Sequence, residues 1–118
     1  MATKRLPKFP TRLPSHLGPI KVVRVKNLKS SEGEECHGIF HWDKRLIQIA
    51  ANLEKEAAWA VLFHEYCHAV LADGGMDATL PYQVCESVCD LVGTSFTGLL
   101  RSGMLTPEQT PTRRTKKS

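Results

Sequence analysis

The stretch Leu46–Val70, "LIQIAANLEKEAAWAVLFHEYCHAV", changes its repeat partway along. Up to Ala51 it alternates. Leu46, Gln48 and Ala50 take one side, and Ile47 and Ile49 the other, the two-residue repeat of a strand with its isoleucines toward a core. From Asn52 onward, Leu53, Ala57, Ala60, Val61, His64, His68 and Leu71 recur at three- and four-residue steps. That spacing predicts a helix of about five turns. Asn52 is placed to cap its backbone N–H groups, and Glu54 and Glu56 suit the positive end of its dipole. "DGG" at 73–75 ends it, because glycine accepts the left-handed conformation a helix terminus often needs.

Working outward from that switch, "HGIFHW" (37–42) precedes the charged triplet "DKR" and then Leu46. The pattern predicts a β-hairpin with the triplet as its turn. "PIKVVRVK" (19–26) is rich in β-branched residues and reads as a further strand, separated from the hairpin by the polar loop 27–36. Downstream, Pro81 suits the first turn of a second helix running to about Arg101. The order strands, helix, connector, helix defines an α+β class: a small antiparallel sheet of about three strands packed on two main helices.

The chain has 118 residues, 42% of them hydrophobic, which fits one core. Three segments are expected: a basic, proline-rich arm (1–18), a domain (19–103) and a basic tail (104–118). The formal net charge is +4. Lys4, Arg5, Lys8 and Arg12 supply four positive charges at the start. Residues 107–118, with Arg113, Arg114, Lys116, Lys117 and Glu108, supply +3, leaving the middle at −3. The basic ends are solvated, with weak nucleic-acid contact as a further expectation. No run of ~20 apolar residues predicts a membrane span. The N-terminus lacks the apolar region of a secretory signal, so the expected location is the cytoplasm. Cys36, Cys67, Cys85 and Cys89 form no CxxC pair and are expected to be free thiols.

The chemistry gathers on the first helix. His64 and His68, four residues apart, project from one face and can reach one ion at ~2.0–2.1 Å. Glu65 lies about 100° round the helix, beside such an ion without binding it. This is the His-Glu-x-x-His pattern of zinc peptidases, in which zinc lowers the pKa of its water toward ~7 and the glutamate moves the proton. A third ligand must come from another element. The position six residues after His68 is Gly74 and cannot serve. Cys36, His37 and His41 are candidates, and Glu86 is the strongest. It shares a helical face with Asp90, which can accept the second N–H of a ligating histidine. Both acids sit among Val84, Val88, Leu91 and Val92, where unpaired charge is costly.

With His64-Glu65-Tyr66-Cys67-His68 on one helix and Glu86-Ser87-Val88-Cys89-Asp90 on the next, residues 37–100 resemble the gluzincin metallopeptidases. The short spacer looks most like the small ImmA/IrrE-type and minigluzincin peptidases of bacteria and phages. The resemblance implies a minimal zincin-like fold, Zn2+ held by His64, His68 and Glu86, Glu65 as catalytic base and Asp90 as histidine orienter. It also implies that the hairpin edge pairs with an extended peptide substrate. Larger gluzincins add a tyrosine or histidine that stabilises the oxyanion, for which Tyr82, Tyr66 and His41 are the local possibilities. Two other functions fit parts of the pattern. One is a deformylase-like hydrolase with Cys36 completing the site. The other is a non-catalytic, zinc-containing regulatory module of phage or bacterial origin that binds a partner through its sheet edge.

Overall fold

Ile47 and Ile49 are fully buried, and they mark the face on which the domain is built. In a computed structural model, which describes residues 6–104, they lie on the central part of a four-stranded sheet. The strands are β1 (Arg12–Leu13), β2 (Ile20–Val25), β3 (Gly38–His41) and β4 (Leu46–Ala50), in the order β1-β2-β4-β3. The β3–β4 hairpin is antiparallel, with His41 opposite Leu46 and Phe40 opposite Ile47. Its loop closes on Arg45, which adopts a positive φ of 51°. That conformation is uncommon outside glycine.

The fold is α+β, with two differences from the sheet expected above. Among the described residues there are four strands rather than about three, and the sheet is mixed, because β2 runs parallel to β4 from Lys21–Leu46 to Val25–Ala50. Residues 26–37 carry the chain past the position β4 will fill, so the hairpin's second strand inserts beside β2. The first strand, β3, is left on the outside as an edge. Hairpin chemistry is local and legible; parallel pairing is set by a crossover that no short window encodes.

The first helix, α1, runs Lys55–Asp73 and the second, α2, Tyr82–Ser102, with a short 3-10 turn at Met76–Ala78 between them. Glu54, not Asn52, stands at the N-cap of α1, without a side-chain capping bond. Arg24 instead reaches across from β2 to the carbonyls of Ala50, Ala51 and Leu53 and fixes the strand-to-helix corner. Gly75 takes the left-handed conformation after α1, with φ 78°. The layers are sheet, α1, α2: α1 packs on β3 and β4, and α2 packs chiefly on α1 rather than on the sheet. The sheet side of α1 buries Ala58, Leu62 and Ala69 against Ile20, Val22, Ile47 and Ile49. The stripe containing His64 and His68 is therefore turned toward α2 and the sheet edge.

Two glycines set the spacing. A Cβ on Gly93 of α2 would lie 2.8 Å from the carbonyl oxygen of Ala60 and 3.5 Å from the backbone nitrogen of His64. Only a glycine lets the helices cross this closely without a shift. A Cβ on Gly38 would lie 2.6 Å from Val61 Cγ1 and 3.1 Å from Glu65 Cγ, so the edge strand also passes hard against α1.

Residues 6–15 follow α1 along its length. Lys55 donates to the carbonyl of Leu6, Phe9 meets Trp59 edge-on at 5.2 Å, Tyr66 donates to the carbonyl of Pro14, and Ser15 donates to Asp73. Residues 1–5 and 105–118, with Lys4, Arg5 and most of the expected basic tail, lie outside the described residues.

Candidate metal centre

The close crossing at Gly93 brings α2's acids to α1's histidines. His68 Nε2 lies 2.8 Å from Glu86 Oε2, and His64 Nε2 lies 3.4 Å from Glu86 Oε1. One donor atom from each of His64, His68 and Glu86 falls within 4.8 Å of the other two. Donors placed tetrahedrally around an ion at ~2.0–2.1 Å stand roughly 3.4 Å apart, so this spacing suits a zinc-sized ion. Two imidazole nitrogens and a carboxylate oxygen are also the donor chemistry zinc accepts with a position left open. Asp90 Oδ1 is 2.8 Å from His64 Nδ1. That contact sets the Nδ1–H tautomer and leaves Nε2 as the free donor atom.

Glu65 lies next to this group but outside it. Its pKa is pushed up to about 7. Burial is the largest cause, the charge of Glu86 adds to it, His64 opposes it, and no hydrogen bond contributes. A carboxyl group so placed exchanges a proton near neutral pH.

A cleft runs along β3 above these residues, and Gly38, His64 and Glu65 divide it. One half, of about 340 Å³, is lined by His37, Val61, Asp90 and Thr94. The other, of about 700 Å³, is bordered by Phe40, Trp42, His68, Ala72, Asp77 and Tyr82. Among the described residues, Cys36, His37 and His41 do not join the converging donors. His41 bonds Gln48 at 2.8 Å instead. Tyr66 is engaged by Pro14, whereas Tyr82 borders the cleft beside Glu86, whose carboxylate raises its phenol pKa. Cys67 is half-buried and Cys89 buried, and the Cys89 pKa is raised by burial first and by the neighbouring Cys67 next. All four cysteines are free thiols.

A second polar cluster was not anticipated from the sequence. Asp73, at the last turn of α1, has a side chain only 2% exposed. Arg45 grips it with two bonds of 2.8 and 2.7 Å, Trp42 Nε1 donates to it at 3.1 Å, and Ser15 donates as well. The same guanidinium donates to the carbonyl of Gly18. The Arg45 hydrogen bonds hold the Asp73 carboxyl well below the usual carboxylate range, against the opposing effect of burial. The signal that could have found it is an acid at a helix C-terminus, where the dipole opposes negative charge and a cationic partner is needed.

Comparison of the chain with protein-family models, with curated proteins and with solved structures finds no match. No helix among the described residues is long and apolar enough to cross a membrane.

Proposed function

We propose that this chain is a small zinc-dependent peptidase of gluzincin type that hydrolyses peptide bonds in a protein partner. The observation that carries the reading is the convergence of His64, His68 and Glu86, with Glu65 beside them in a cleft under an edge strand. Zinc bound by these three residues would supply Lewis acidity, activating a water molecule and polarising a carbonyl. Glu65 takes a proton from the attacking water on its carboxylate and passes it to the leaving nitrogen. Asp90 holds His64 in the tautomer that binds. The free edge of Gly38–His41 offers backbone donors and acceptors to an extended peptide, which would lie as an added strand across the cleft. A cytoplasmic location and a bacterial or phage setting belong to the same proposal.

The test joins metal content to proteolysis. The zinc-loaded protein is incubated with a mixed peptide library and products are read by mass spectrometry, alongside Glu65→Gln. The variant is expected to keep its zinc and lose cleavage by about 10²–10⁴-fold. Full cleavage by the variant would remove Glu65 from the reaction. Zinc binding without cleavage by the unaltered chain would favour the regulatory-module reading.

A further inference from the structure

The two halves of the cleft differ in a way the reaction itself does not require. The smaller half carries no Phe, Trp or Tyr ring. The larger half carries three, from Phe40, Trp42 and Tyr82, around the small side chain of Ala72. Trp42 is 53% exposed, which leaves a large apolar ring facing solvent at the cleft wall. An exposed ring ordinarily samples several rotamers, but this one is pinned. Its indole N–H donates to Asp73, and Asp73 is itself fixed by the two-pronged contact with Arg45 and by Ser15. A ring held in place before a ligand arrives loses little conformational entropy when the ligand covers it. Asp77, which is not among the metal donors, borders the same half and disfavours a negatively charged side chain.

From this arrangement we infer that the larger half is a subsite for a bulky apolar side chain, aromatic or long aliphatic, on the substrate residue beside the bond cleaved. Trp42 is its specificity-determining residue and Asp73 the positioning residue that acts through Trp42. The inference rests on the peptidase reading above and names the substrate class of that site.

The experiment reads binding as well as turnover. Peptide hydroxamates that differ in one side chain, Phe, Leu, Ala or Asp, next to the metal-directed group are titrated against the zinc-loaded protein. Matched peptides are assayed for kcat and KM. Phe and Leu are expected to exceed Ala by about tenfold or more in affinity and kcat/KM, with Asp weakest. Trp42→Ala should bring the Phe to Ala ratio close to one. Trp42→Phe keeps a ring without the N–H and should give an intermediate ratio. Asp73→Asn should raise KM for the Phe peptide with kcat largely kept. Should Asp73→Asn fail to fold, the Trp42→Phe result decides the positioning role.

A wild-type preference for Ala or Asp, or an unchanged ratio in Trp42→Ala, overturns the subsite and leaves the peptidase reading standing. Selective hydroxamate binding with no cleavage of any peptide overturns the peptidase reading and leaves the subsite. Absence of both zinc binding and hydroxamate binding overturns both.

Discussion

Glu65 and Asp73 are carboxylates on one helix, eight residues apart, and their environments push them in opposite directions. Asp73 is satisfied by Arg45, Trp42 and Ser15, and its pKa falls despite burial. Glu65 gains no hydrogen bond from the described residues, stands near a second acid, and its pKa rises to about 7. Burial disfavours charge in both places; what differs is whether donors compensate for it. The first arrangement spends its polar groups on holding three chain segments together. The second leaves a carboxylate ready to exchange a proton, at a cost to stability whenever it is charged. The strain-bearing left-handed Arg45 belongs to the first kind: its guanidinium is clamped, so the unusual turn is over-determined by its partners.

Changing each carboxylate to its amide breaks the comparison most directly. Asp73→Asn leaves Arg45 partly buried beside a neutral group. It is expected to destabilise the fold by on the order of 3 kcal/mol, read by urea denaturation. The corresponding change at Glu65 should not destabilise at all. In the metal-free protein at pH 8 it is expected to stabilise by up to about 3 kcal/mol, since the folded state no longer holds a desolvated charge. An equal loss at both positions would show that the two carboxylates are not the opposites drawn here.

The same contrast has a pH signature. Glu65 has a raised folded pKa, so the folded state binds its proton more tightly. Stability of the metal-free protein therefore falls as pH rises from about 4.5 through about 7. Asp73 has a depressed folded pKa. Its contribution is present above its ordinary value near 3.8 and is lost as pH falls toward the lower, folded value. Denaturation midpoints measured from pH 3 to 8 should peak between these ranges, and Glu65→Gln should flatten the alkaline side alone.

Smaller effects sharpen the picture. Asp90→Asn weakens the acceptor for His64 and is expected to lower zinc affinity about 10–100-fold, measured by competition with a chelating dye. Smallest is a pair of glycines on α2. Gly98 has open surroundings, with only the Arg101 side chain near at 3.7 Å, and Gly98→Ala should stabilise by about 0.5–1 kcal/mol. Gly93→Ala meets the carbonyl of Ala60 and should destabilise and disturb His64, visible in its imidazole NMR resonances.

Local features were legible in the sequence. The alternation placing Ile47 and Ile49 inward, the hairpin, and both helices follow from repeats within short windows. His64 with His68, and Glu86 with Asp90, could be grouped because helical spacing puts each pair on one face. Other features depend on partners far along the chain. The parallel β2–β4 pair joins Lys21 to Leu46, and Asp73 finds Arg45 and Ser15 across 28 and 58 residues. Read locally, "DKR" is a turn and "DGG" a helix end, and both descriptions hold; that Arg45 and Asp73 meet is not written in either. Asn52 had the right chemistry for a cap, but Arg24 from another strand secured the corner instead.

The arm beside α1 acts as a ruler. Its contacts advance from Leu6 to Ser15 while those on the helix advance from Lys55 to Asp73. The helix covers about 27 Å in that interval, and nine steps of chain reach at most about 30–32 Å. Almost no slack remains. Removing one residue between Phe9 and Ser15 would oblige the arm to release either Trp59 at one end or Asp73 at the other. The length of an apparently plain leading segment is therefore coupled, through Asp73 and Trp42, to the wall of the cleft.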